Sequence, residues 1–382
     1  MSTRPAAAAL ALLTLSAPAR AHHRQTPPVV QLSQTGDNDL PRLAALSGTL
    51  ALAAVHAGGH EVIRFYVGKL LTTRVSATGD CEHPTVSGNG RAIAWDTDGD
   101  PLGSGDPGRQ VYVESRGVIF QAAHDPTGTS ANPTLNHIGR IVAFESQGDL
   151  AATGNSGVRQ IFERSPAGTL RQVSRGLGGS ANPSFAKRGL VLAFDSTSDP
   201  VTGADTGVAQ IWIDDPQTLR TEPLTAGLGP SWRPAMSPDG RMVAFQSSAN
   251  LTGGGEETGV TQVFVYDRVA RTVARLTSDA GGCATPSIDF YLADWRVVFT
   301  CGGQAFYHQL LADQTYQVPI DVGDTPGALA TIGSNFITVS TTANLTGSGT
   351  TPDHQLFLWN LYKLPARPVA HRTVWVPSHR GP

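Results

Sequence analysis

Short apolar runs, rich in β-branched and aromatic residues and bounded by Gly, Asp, Asn and Pro, recur from one end of the chain to the other. Runs of this kind mark strands joined by tight turns. No window of about 11 residues sustains the i, i+3, i+4, i+7 pattern of a helix. The expectation is an all-β protein. The runs also repeat. Glu82 opens EHPTVSGNGRAIAWDTDGD, Ala131 opens ANPTLNHIGRIVAFESQGD, Ala181 opens ANPSFAKRGLVLAFDSTSD, and Trp232 opens WRPAMSPDGRMVAFQSSAN. A Gly-rich loop follows each copy, then QVYVES, QIFERS, QIWIDD or QVFVYD. The anchor prolines Pro84, Pro133, Pro183, Pro234 and Pro286 stand 49, 50, 51 and 52 residues apart. Degenerate copies begin at Pro41 and Pro326, which makes seven units, with six or eight left open.

Each unit predicts four strands: one after the proline, one ending in Ala-Phe, one at the Gln-Val-Phe-Val type of run, and one ending in Val/Leu-Ser/Thr. Four short strands repeated every ~50 residues fit the blade of a single β-propeller. A propeller leaves unpaired edges unless its ring closes. VVQLSQTG (29–36) matches the fourth-strand endings TRVSATG and RQVSRG, so the N-terminal strand is expected to complete the last blade. The C-terminal HRTVWVP competes for that place, and the pattern favours the N-terminal segment.

The stretch WRPAMSPDGRMVAFQS, from Trp232 to Ser247, resembles the WD-like propeller repeat of the TolB family, and the other units carry the same signature in part. The resemblance covers 30–362 and implies the propeller fold. It implies little about activity. The α/β domain that precedes the propeller in TolB has no counterpart expected between the leader and Val29. Peptidases of the prolyl oligopeptidase kind set a hydrolase domain beside such a propeller, and no G-x-S-x-G stands in this sequence.

Composition narrows the classes. The chain has 382 residues, of which 40% are hydrophobic and 15% charged, and a net charge of −3. That is too apolar and too weakly charged for a disordered chain. The length would suggest several domains, but the repeat assigns it to one. Lysine stands only at 69, 187 and 363, so neither a nucleic-acid footprint nor a polybasic membrane patch is expected. MSTR, an apolar stretch and Ala19-Arg20-Ala21 read as an export signal cleaved near Ala21. Its apolar part is too short to span a bilayer. The expected organisation is a signal peptide over 1–21, a mature N-terminus over 22–28, the propeller over 29–377 and a tail over 378–382. The mature protein is expected to be periplasmic or secreted, monomeric and without stable membrane insertion.

Candidate chemistry gathers where each inner strand begins, because those residues should ring one mouth of the central channel. Glu82, His83, Asn132, Asn182, Trp232, Arg233 and Asp324 occupy the two places before the anchor prolines. Tips that differ on a constant scaffold are where binding sits. Arg233 beside Trp232 suits a carboxylate or a stacked planar or sugar group. One place earlier, Cys81, Ser130, Ser180, Ser231 and Cys283 are uniformly small, which suggests crowding at an inner turn. Cys283 and Cys301 begin and end adjacent strands of one blade and are expected to form a disulfide, leaving Cys81 free. Asp96, Asp98, Asp100 and Asp106, placed in the loop after a second strand, offer oxygen ligands for Ca²⁺. The recurrence of Asx at that loop in other units points instead to Asx turns. Gln110, Gln160, Gln210, Gln262 and Gln355 recur too regularly for a site and suggest a structural hydrogen bond. No cofactor is required.

Function follows as an expectation: an exported binding or scaffold propeller that recognises a protein, peptide or glycan at the channel mouth. The alternatives are a lyase or hydrolase acting on polysaccharide around the axis, and a structural subunit of an envelope complex.

Overall fold

The computed structural model describes residues 29–31, 42–43, 49–56, 59–66, 71–154, 157–186, 188–253, 259–291, 293–321, 330–333, 336–341, 355–361, 367–369 and 375–377. The leader over 1–21, the segment 22–28, the tail over 378–382 and Asp324 lie outside the described residues. The described strands form seven antiparallel sheets and no helix. Among the described residues, no helix is long and apolar enough to cross a membrane.

Strand order within the sheets follows the repeat. The second sheet runs Cys81–Val86, Ala92–Thr97, Gln110–Ser115, Val118–Gln121, and the third Ala131–Leu135, Val142–Ser146, Gln160–Arg164, Leu170–Gln172. The fourth runs Ser180–Phe185, Leu192–Ser198, Asp205–Asp215, Arg220–Pro223. Four strands of the fifth are Ser231–Met236, Met242–Ser247, Gln262–Asp267 and Thr272–Arg275. Four of the sixth are Cys283–Tyr291, Asp294–Cys301, Gln304–Gln309 and Gln314–Asp321. The first sheet begins at Arg42–Leu43 and the seventh at Ala330–Gly333. First strands of consecutive sheets pack on one another, and Ala330–Gly333 meets Arg42–Leu43, so the series closes around an axis.

Closure uses the N-terminal strand. Val29–Gln31 pairs antiparallel with Gln355–Asn360 of the seventh sheet, with Val29 opposite Trp359 and Gln31 opposite Phe357. The C-terminal segment does something else. Arg367–Val369 adds a fifth strand to Gln314–Asp321, and Trp375–Pro377 adds one to Thr272–Arg275. It therefore covers two outer edges that would otherwise present unpaired backbone groups.

Both faces of the middle strands are covered, which is why they read as continuous apolar runs. Ala92–Thr97 and Met242–Ser247 are buried at every position. Aromatic pairs recur between second and third strands: Trp95 on Tyr112, Phe144 on Phe162, Phe245 on Phe264 and Phe299 on Phe306. Their clusters bridge sheets, as where Ile211 and Ile213 of the fourth meet Val243 and Phe245 of the fifth. The hairpin glycine of SPDG has φ of +75° at Gly240, and a Cβ there would stand 3.1 Å from that of Ala186. Only glycine suits both demands.

The row of small residues has a more specific cause than crowding. Four of the five sit directly across from a small residue of the second strand. Ser180 and Ser231 hydrogen-bond to Ser196 and Ser247 at 2.9 Å. Cys81 lies opposite Thr97 and Cys283 opposite Cys301. In the sixth sheet a Cys283–Cys301 disulfide thus replaces a serine pair. Denatured, unreduced protein is expected to titrate with one thiol, Cys81, and with three after reduction. Three before reduction would refute the bridge. A sequence separation of 18 predicts that the bridge contributes about 3 kcal/mol.

Described members of the recurring glutamine row hold the loops that lead into the next sheet. Gln160 Nε2 donates to the Gly176 carbonyl at 3.1 Å, Gln210 to that of Gly227 at 2.9 Å and Gln262 to that of Asp279 at 2.6 Å. Their Oε1 atoms accept hydroxyls from Ser174, Thr225 and Thr277. This is a structural role, as expected from the repetition.

Candidate functional site at the axial mouth

A single backbone device builds the mouth. The residue before each anchor proline, at His83, Asn132, Asn182, Arg233 and Thr285, has φ between 45° and 54°. The register of the inner strand shifts there, as between Glu82 and Thr85 or Trp232 and Ala235. A left-handed residue other than glycine costs on the order of 1 kcal/mol. Something must hold it, and the neighbouring sheet does. The Asn132 N–H donates to Asp96 Oδ2 at 2.9 Å, Asn182 N–H to Glu145 Oε1 at 2.7 Å, Arg233 N–H to Asp195 Oδ2 at 2.9 Å, and Thr285 N–H to Gln246 Oε1 at 2.7 Å.

The same acceptors also serve their own sheets. His83 Nδ1 lies 2.8 Å from Asp96 Oδ2, Asn132 Nδ2 donates to Glu145 Oε1 at 2.7 Å, and Asn182 Nδ2 to Asp195 Oδ2 at 2.8 Å. The result is a relay from sheet to sheet: Asp96, Asn132, Glu145, Asn182, Asp195, Arg233. Asn132 and Asn182 therefore link neighbouring sheets. Glu145, Asp195 and Gln246 were not singled out from the sequence, although a signal was present. The residue after Ala-Phe in AFES, AFDS and AFQS is polar inside an otherwise apolar strand.

These carboxylates differ in compensation. Asp96 is fully buried and takes Arg109 Nη1 at 2.6 Å as well as His83. Glu145 is buried with Arg159 Nη1 at 3.5 Å, a side chain that is 54% exposed. Asp195 makes no ion pair with a described residue. Burial pushes the Glu145 carboxyl up. Burial, with Glu145 nearby, raises Asp195 to about 7.

Other expected residues fall in various places. Glu82 and His83 are partly buried, and Glu82 Oε2 lies 3.2 Å from Arg109. Trp232 is half-buried opposite Gln246, and Arg233 is exposed. Asp96 belongs to the second strand Ala92–Thr97, not to the loop that follows it. The four aspartates named for Ca²⁺ take separate partners. Asp98 accepts the Asp80 N–H, Asp100 accepts those of Leu102, Ser104 and Gly105, and Asp106 pairs with His124. Asp100, like Asp149 and Asp199, shapes a turn. Among the described residues, only Glu82, His83 and Asp96 bring three ligating side chains within 4.8 Å of one another. Cys81 is buried and its thiol is pushed up by burial, which does not suit nucleophilic chemistry. A separate cavity of about 400 Å³ beside Arg220, Glu222 and Arg268 contains none of these residues.

No protein-family model matches the chain, and no curated protein does. Solved structures match its fold. The propeller domain of the trilobed protease from Pyrococcus furiosus is 9% identical, with 89% of this chain and 99% of that one covered and a TM-score of 0.54. An oligogalacturonate lyase in complex with manganese is 10% identical, covers 87% and 93%, and has a TM-score of 0.59. The neighbours also include TolB from Acinetobacter baumannii, at 15% identity, 86% and 82% coverage and a TM-score of 0.42. Fold and comparisons together define the class: an all-β protein of the propeller kind. Likeness at such identities extends to the fold alone, since one propeller hosts many activities.

Proposed function

We propose that this chain is an exported binding propeller that takes a protein segment, peptide or glycan at the axial mouth. One observation carries the reading: a constant left-handed corner before the described anchor prolines carries side chains of four types around the ring, His83, Asn132 and Asn182, Arg233 and Thr285. A scaffold that repeats its backbone and varies its tips is suited to recognition. The leader before Val29 supports export. A second reading, an enzyme acting on polysaccharide at the same mouth, is favoured by the convergence of Glu82, His83 and Asp96. Arg109 counts against a metal there, because its guanidinium already contacts both carboxylates.

Replacing Trp232 and Arg233 together with Ala is expected to reduce recovery of partners from envelope extracts by at least about tenfold, the effect of losing about 1.4 kcal/mol of binding. Undiminished recovery by a variant with an unchanged melting transition would sink the mouth as the site.

A further inference from the structure

The cavity between the fourth and fifth sheets has a volume of about 400 Å³, within the size range of small-molecule sites. Two hairpins border it. Asp215, Arg220 and Glu222 come from the last hairpin of the fourth sheet, and Arg268 and Arg271 from that of the fifth. Ile213, Leu224 and Tyr266 add an apolar wall. The comparable seam between the second and third sheets is narrower. There Arg164, four places after Gln160, lies over the Phe120 ring at 5.4 Å and donates to the Gln121 carbonyl, leaving a cavity of about 170 Å³. Four places after Gln262 stands Tyr266 instead, and the guanidinium groups enter this seam from the hairpins.

We propose that the cavity binds a small organic monocarboxylate, its carboxylate taken by the arginines and its apolar body laid against Ile213, Leu224 and Tyr266. The walls are held in advance. Arg268 Nη1 donates to the Gly240 carbonyl at 2.6 Å, and Nη2 lies 3.5 Å from Asp215 Oδ2. Trp375–Pro377 braces the strand that follows Arg271, with Pro377 opposite Thr272. A ligand therefore meets a site that needs little ordering. Arg220 is exposed, and its side chain makes no ion pair or hydrogen bond with a described residue. Its planar fork of donors remains for a carboxylate.

Charge narrows the ligand. Three guanidinium groups against the carboxylates of Asp215 and Glu222 leave a formal surplus of one positive charge. A single carboxylate balances that surplus. A phosphomonoester, at about −1.5 to −2 near neutral pH, overshoots it beside two carboxylates. A cation would meet the guanidinium groups, and a small inorganic anion would leave the apolar wall unused. None of these residues belongs to the axial mouth, so the inference is independent of the function proposed there.

The test titrates the full chain with benzoate, benzamide and phenyl phosphate at about pH 7.5, where the phosphate is mostly dianionic, following the amide resonances of Arg220, Tyr266 and Arg271. Benzoate is expected to shift these amides saturably. Benzamide, of similar shape but uncharged, is expected to bind about tenfold more weakly, and phenyl phosphate about threefold more weakly. Arg220→Gln is expected to weaken benzoate about tenfold with an unchanged melting transition. Glu222→Gln, which keeps an acceptor and removes a charge, is expected to strengthen it about threefold. No saturable shift with benzoate, equal binding of benzamide, tighter binding of phenyl phosphate, undiminished binding by Arg220→Gln or weaker binding by Glu222→Gln overturns the assignment. The variant with Trp232 and Arg233 replaced by Ala is expected to bind benzoate as the parent does. Loss of benzoate binding there would place the carboxylate at the mouth and overturn the assignment as well.

Discussion

Phe245→Ala is expected to destabilise the protein by about 4 kcal/mol, the cost of a cavity where a fully buried phenyl ring is removed. Phe245 has no exposed surface and stacks on Phe264 with ring centroids 5.8 Å apart. Its cluster takes Ala193, Ile211 and Ile213 from the fourth sheet and Val243 and Phe264 from the fifth. The ring therefore fills the seam between two sheets, and neither can move in without breaking its own register. Urea denaturation measures the loss as a lowered midpoint with an unchanged slope. A change below about 1 kcal/mol would mean that the sheets collapse onto the vacancy and that the seam is not close-packed. Leu177, 81% exposed, provides the contrast, and its replacement by Ala should change stability by no more than about 0.5 kcal/mol.

Glu145→Ala should cost about 3 kcal/mol, and Glu145→Gln less than about 1 kcal/mol. Alanine strands two donors, Asn132 Nδ2 and the Asn182 N–H, both of which use Oε1 at 2.7 Å. Glutamine keeps that oxygen. It also removes a carboxyl whose charged form burial disfavours. The sign with pH follows. Glu145 and Asp195 are both raised in the folded protein, Asp195 to about 7 from 3.8, so the native state binds more protons than the unfolded chain between those values. Stability should then fall as pH rises from about 4 to about 7, and Glu145→Gln should flatten that fall. Equal losses for alanine and glutamine would show that the charge, not the acceptor, holds the left-handed corner.

Much of the fold was legible along the chain. Strand positions follow from apolar runs bounded by turn residues, and the spacing of Pro84, Pro133, Pro183 and Pro234 announces one unit repeated. The Cys283–Cys301 bridge was legible because its members begin and end neighbouring strands. The site was legible in part. His83, Asn132, Asn182 and Arg233 could be named from their place before the prolines. DTDGDP reads as a loop, whereas the strand continues through Asp96 to Thr97.

What the sequence determined by itself is local and periodic: which residues are strand, where the turns fall, how often the unit recurs, and that VVQ suits the last outer strand. These properties depend on neighbours a few residues away or on one spacing repeated. Only the tertiary structure decided which carboxylate holds which corner. Each such bond joins residues 36 to 38 apart on different sheets, as from Asn132 to Asp96 and from Arg233 to Asp195. It also decided that the C-terminal strands cover the outer edges of the fifth and sixth sheets instead of competing for closure. The physical reason is the same in both cases. A backbone N–H or an open strand edge specifies that it needs a partner, and only the packing of sheet on sheet specifies which one.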